Sequence, residues 1–140
     1  MKTFRTTRTI SAPLEKIFAA FLDPERLAKW WGPSGFTNTF HKFNFQSGGK
    51  WSFVMHGPDG VDYPNDAEFI DIIPNEKISI RHLSQPNFTL TILLSSSPDG
   101  SLVQWIQEFD NDEVAKNIAH IVIPGNEQNL DRLEKEVNMP

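Results

Sequence analysis

The chain has 140 residues, which suits a single domain spanning 1–140 and suffices to bury roughly two-thirds of the unfolded surface without disulfide or metal staples. Its 13 basic and 18 acidic residues give a formal net charge of -5 with no Lys/Arg run, which argues against nucleic acid as a partner. It has no cysteine, its amino terminus "MKTFRTTRTI" lacks the apolar run of a signal peptide, and no stretch approaches the ~18 apolar residues of a membrane span, so a cytoplasmic chain without membrane insertion is expected. The conspicuous feature is aromatic content, with 11 Phe and 4 Trp, which suits a dense core or the wall of a cavity.

Residues 3–10 read as a first strand, with Phe4 and Ile10 as its apolar members. Ser11 and Pro13 mark a helix start, and Leu14, Ile17, Phe18, Phe21 and Leu22 then recur at helical spacing. Asp23-Pro24 opens a second short helix, because the Asp side chain can accept from a free first-turn N–H and Pro has none to waste. This helix places Leu27, Trp30 and Trp31 on one side, and Gly32-Pro33 ends it.

From Phe36 to Phe109 the pattern alternates with period two. Trp51, Phe53 and Met55 share one face, as do Ile78, Ile80 and His82, then Phe88, Leu90, Ile92 and Leu94, then Val103, Trp105, Gln107 and Phe109. Turn residues separate these runs at Gly48-Gly49, Pro58-Asp59-Gly60, Pro74-Asn75, Pro86-Asn87 and Pro98-Asp99-Gly100. About six consecutive strands joined by short loops make an antiparallel meander. The phase slips between Phe36/Phe40 and Phe43/Phe45, so that strand is the least regular. Glu113 to Ile123 reads as a short helix broken by Pro124-Gly125, after which Asn126, Leu130, Leu133 and Val137 line one face of a final helix. The class is α+β, with helices gathered on one face of an antiparallel sheet.

The segments "SAPLEKIFAAFLDPERLAKWWGPSGF" (11–36), "SGGKWSFVMHGPDG" (47–60), "IIPNEKI" (72–78), "WIQEF" (105–109) and "GNEQNLDRL" (125–133) run the length of the chain. In order and spacing the chain resembles the SRPBCC (START/Bet v 1-like) superfamily. Within it, the chain is similar to the group named after the C-terminal domain of the activator of the Hsp90 ATPase. The resemblance implies a helix-grip fold: a curved antiparallel sheet wrapped around a long C-terminal helix, with two short helices after the first strand and an apolar cavity between helix and sheet. It implies that Trp30 and Trp31 stand at the cavity rim, one ring closing the cavity and the other packing outward. It carries no catalytic motif.

On this reading Trp30, Trp51, Phe53, Met55, Phe88 and Trp105 supply apolar walls for a small hydrophobic ligand, and His82 and Gln107 supply polar handles. The alternative is an enzyme, a cyclase, hydrolase or isomerase acting on an aromatic or polyketide-like substrate, for which His82 is the one good titratable candidate. A chaperone-interaction module ranks below both. A homodimer is compatible with the sequence.

No cofactor is expected, and no metal either: His41, His56, His82 and His120 form no HxxxH or HExxH pattern. Ser95-Ser96-Ser97 leads into a turn and has no G-x-S-x-G context. Glu68 and Asp71 would point to opposite strand faces unless a bulge intervenes. The "HGPDGVDYPND" stretch (56–66) reads as a solvated hairpin loop, or as a rim offering Tyr63 and Asn65.

Overall fold

In the computed structural model, residues 2–139 are described. The sheet begins with β1 (Lys2–Ile10) and continues, after two helices, with β2 (Thr37–Phe43), β3 (Lys50–His56), β4 (Asp62–Ile73), β5 (Lys77–His82), β6 (Phe88–Ser97) and β7 (Gly100–Phe109). The seven strands pair in the order β1-β7-β6-β5-β4-β3-β2, every neighbour antiparallel. The six-strand meander expected from the alternation is therefore present, and β1 adds to it by pairing with the last strand. Helices α1 (Leu14–Leu22) and α2 (Pro24–Trp30) follow β1, and α3 (Asp112–Val137) closes the chain. This is the α+β helix-grip arrangement.

The slip in phase near residue 41 is a register shift between Phe40 and Lys42 on β2. A second shift, between Phe69 and Asp71 on β4, undoes the expectation that Glu68 and Asp71 face opposite ways. Both carboxylates instead form partly exposed ion pairs, Glu68 with Lys50 and Asp71 with Lys77, each at 3.4 Å.

Helix starts follow local chemistry. The Asp23 Oδ1 accepts from the Glu25 N–H at 3.0 Å to open α2, and the Asn111 side chain accepts from the Val114 N–H at 3.0 Å to open α3. Ser11 caps nothing; Pro13 stands at the start of α1 without a side-chain hydrogen bond.

The expected break at Pro124-Gly125 does not occur, because α3 runs through Pro124 as one helix of 26 residues. Proline forfeits the hydrogen bond to the carbonyl four residues back, which belongs to exposed His120, where water can replace the lost donor. Packing on both sides outweighs the remaining cost. Before the proline, Ala115, Ile118, Ala119 and Val122 sit on a small cluster with Phe4 and Phe109. After it, Leu130, Leu133 and Val137, none of them accessible to solvent, enter the main core. Arg8 of β1 pins the same half of α3 through Asp131 (2.8 Å), Glu134 (3.1 Å) and Glu127 (3.4 Å).

Gly100 occupies φ +134°, and a Cβ there would collide with the Ile10 carbonyl, so the β6–β7 turn packs tightly under the exit from β1.

Leu133→Ala removes a fully buried side chain from the seam between α3 and the sheet. It is expected to lower the unfolding free energy by about 2–5 kcal/mol, read from the urea midpoint with an unchanged denaturant slope.

Candidate functional site

Alternation along β3 to β7 turns one face of the sheet toward α3, and between them lies a cavity of about 660 Å³, within the range of small-molecule sites. Its sheet wall includes Trp51, Phe53 and Met55 of β3, Ile80 and His82 of β5, and Phe88 and Leu90 of β6. Trp105 and Gln107 of β7 complete it, and Ile121, Val122, Gly125, Asn126 and Asn129 of α3 face it. Of the residues expected at the site, Trp51, Phe53, Met55, His82, Phe88, Trp105 and Gln107 line this cavity together.

Trp30 does not line it, and neither tryptophan of the pair packs outward. Trp30 lies under α1, its indole N–H donating to the Ala20 carbonyl at 3.0 Å and its ring set edge-on to Phe21 at 4.8 Å. Trp31 takes the cavity position, with ring centroids 5.0 Å from Trp51 and 5.6 Å from Trp105. The reason is where α2 ends. Trp30 is its last residue and shares the buried face with Leu27, whereas Trp31 already has extended backbone (φ -68°, ψ 131°) and turns into the sheet.

That ending is held by α3. The last carbonyls of a helix lack intrahelical donors. Asn38 of β2 donates to the Ala28 and Trp31 carbonyls, and Arg132 donates to that of Lys29 and, past the helix end, to those of Trp31, Gly32, Pro33 and Phe36. Among the described residues no carboxylate partners Arg132, and burial lowers its pKa below the usual arginine value, although it stays charged. Asn129 completes the clamp, donating to the Trp30 carbonyl at 3.0 Å and accepting from the Gly32 N–H at 3.2 Å. Gly32 itself sits at φ +99°, a conformation open to glycine and strained for other residues.

The mouth forms because β4 outruns β5. Residues 62–66 of β4 pair with β3 but lie beyond the end of β5, where Pro64 can sit without forfeiting a ladder bond on that side. Tyr63, Pro64 and Asn65 line the cavity here, so the 56–66 stretch is the start of a strand at the rim rather than only a solvated loop.

His82 is buried, its ring stacked on Phe88 at 4.4 Å. Nδ1 donates to the Pro86 carbonyl (2.9 Å), and Nε2 faces the Asn65 Oδ1 (2.6 Å) with the Ser84 hydroxyl at 3.3 Å. Burial lowers its pKa below the ordinary histidine value, and the backbone bonds to Pro86 and Ser84 offset only part of that effect. Gln107 Oε1 accepts from Asn126 Nδ2 at 3.0 Å, an amide pair joining β7 to α3. Asn126 is thus a cavity residue in the interior of α3. The indole N–H groups of Trp51 and Trp105 have no hydrogen-bond partner among the described residues.

A second polar chain lies at the edge of the sheet. Thr39 Oγ1 meets His56 Nε2 at 2.7 Å, and His56 Nδ1 meets Asp62 Oδ1 at 2.7 Å. Sequence spacing gave no sign of it, because β2–β3 pairing and the β3–β4 turn assemble it. His56 alternates with cavity-facing Met55, so its ring belongs to the opposite face of the sheet. Among the described residues no group of three or more His, Asp or Glu could hold a metal ion, and no helix is long and apolar enough to cross a membrane.

The sequence profile of the family described as activator of Hsp90 ATPase homolog 1-like protein matches residues 11–138. The chain belongs to this family. Among curated proteins nothing matches the sequence. A crystal structure of a protein from Chromobacterium violaceum is similar over 100% of both chains, with 26% identity and a TM-score of 0.87. One from Nitrosomonas europaea, 18% identical, covers 96% of this chain and 93% of its own at a TM-score of 0.88. The solution structure of an AHSA1-like protein from Aeromonas hydrophila, 20% identical, covers 97% and 92% at 0.77. These likenesses establish the helix-grip fold of the family member described here.

Two measurements probe the site. Arg132→Ala strands the carbonyls at the end of α2 and is expected to cost about 2–3 kcal/mol by urea unfolding, with Arg132→Lys recovering only part because an ammonium lacks the planar fork. For His82 the folded pKa lies below the unfolded one, so the unfolded state binds more protons once the pH falls under about 6.5, and stability declines from there toward the folded pKa. The urea midpoint is expected to drop between about pH 7.5 and pH 5.5, and His82→Gln to remove that share of the drop.

Proposed function

We propose that this family member binds a small hydrophobic or aromatic molecule in the cavity between the sheet and α3. The observation that carries the reading is an opening of about 660 Å³ walled by Trp31, Trp51 and Trp105, with only a few polar groups among the rings. Removing an apolar guest from water there yields ~25 cal/mol per Å² of buried surface, and flat rings offer matching faces. The polar groups are spaced around the wall so that they orient a guest rather than solvate it.

Binding is favoured over turnover by the state of His82. Both ring nitrogens already face protein oxygens, and no nucleophilic side chain with its own base lines the cavity among the described residues. The wall therefore offers surface and hydrogen bonds, and no ready general base.

N-phenyl-1-naphthylamine, an uncharged dye that brightens in apolar surroundings, is expected to bind with saturable fluorescence and to quench emission from the wall tryptophans. Asn126→Trp places a large ring in the cavity from the α3 side and is expected to weaken the dye at least about tenfold. A folded protein that shows no saturable signal would remove the reading.

A further inference from the structure

We propose, resting on the ligand-binding reading above, that the cavity selects by charge: it admits uncharged aromatic guests bearing a carbonyl or amide and rejects carboxylates, sulfonates and phosphates of the same shape.

The polar members of the wall are amides, one imidazole and, at the rim, the Tyr63 phenol. Asn65, Gln85, Gln107, Asn126 and Asn129 line it with His82, and among the described residues no lysine or arginine does. The single carboxylate, Asp62, stands at the mouth and is held by His56 at 2.7 Å. An anion moved from water to this wall meets no opposite charge. Amide dipoles alone repay only part of its lost hydration.

Two cations on elements that build the wall, Arg132 of α3 and Arg81 of β5, are already committed. Arg132 lies behind the loop from Trp31 to Phe36, its donors directed at backbone carbonyls. Arg81 alternates with Ile80 and His82, so it projects from the opposite face, where Asp110 holds it at 2.8 Å. His82 does not substitute for them: burial disfavours its charged form, and both ring nitrogens are already taken up by protein oxygens, the Pro86 carbonyl at 2.9 Å and the Asn65 Oδ1 at 2.6 Å. The chain's net charge of -5 adds a field that opposes anions further.

Apart from the buried indole N–H groups of Trp51 and Trp105, the free groups facing one another across the wall suit a neutral dipole. In the Gln107–Asn126 pair one amide bond is made, at 3.0 Å; the Gln107 Nε2 and the Asn126 Oδ1 have no other hydrogen-bond partner among the described residues. Between them the two lining residues keep one amide donor and one amide acceptor unused, the groups a carboxamide would pair with. A carboxylate in the same place has no hydrogen to give the acceptor.

The test displaces bound N-phenyl-1-naphthylamine with 2-naphthamide and with 2-naphthoate, which differ in charge and hardly in shape. At neutral pH the amide is expected to displace the dye at a concentration at least about tenfold lower than the carboxylate. Equal or better displacement by 2-naphthoate, with the dye bound, overturns charge selection and leaves the cavity as a binding site. Failure of the dye itself to bind overturns the binding reading and this one with it. Gln107→Lys sets an ammonium in the wall and is expected to narrow or invert the ratio. Asn126→Lys does so from the helix side, should the first variant fail to fold as judged by circular dichroism. An unchanged ratio in a folded lysine variant overturns the proposal, because charge would then not be what the wall reads.

Discussion

The last carbonyls of α2 have no donors within the helix; Asn38 of β2 supplies that of Ala28, and α3 supplies those of Lys29 and Trp30. Arg132 and Asn129 together reach the backbone from Lys29 to Phe36. An exposed ion pair would be worth little, but a partly buried guanidinium spread over several carbonyls fixes both position and direction. With that backbone held, Trp31 must enter the sheet side and Trp30 must stay beneath α1. The loop that follows becomes a wall of the cavity instead of a flap. The same helix that closes the core thus builds one side of the site.

The cavity exists because the elements that surround it are satisfied elsewhere. The two ends of α3 are seated on separate apolar clusters, so its middle, from Ile121 to Asn126, can face the open space without being drawn down into it. On the sheet side, aromatic rings brace one another. Trp51 stacks on Phe53 at 4.3 Å and on Phe69 at 5.5 Å, and Phe69 lies in turn against Phe43 and Phe45. A wall braced from behind keeps its shape when nothing fills the front.

Much of this was legible in the residues. Strict alternation put Trp51, Phe53 and Met55 on one face, and His82, Trp105 and Gln107 on the faces that join it, so the sheet wall could be named before any coordinates. Turn residues marked every strand junction from β2 to β7. What failed had particular causes. The choice between Trp30 and Trp31 depends on where α2 stops to within one residue, and long-range bonds from positions 129 and 132 decide that stop. The break at Pro124 was a sound local inference that tertiary seating on both sides overrode. The bulge between Phe69 and Asp71 leaves no mark in a pattern that reads apolar on both sides of it, and the Thr39–His56–Asp62 chain needs strand pairing that spacing alone does not reveal.

Every strand precedes α3, and the cavity draws its wall from residue 31 to residue 129. During synthesis the cavity face of the sheet is therefore made before the helix that closes it, and until α3 follows only α1 and α2 are there to cover part of its rings. The pocket is thus a product of long-range docking, its two walls meeting only when α3 seats on the sheet.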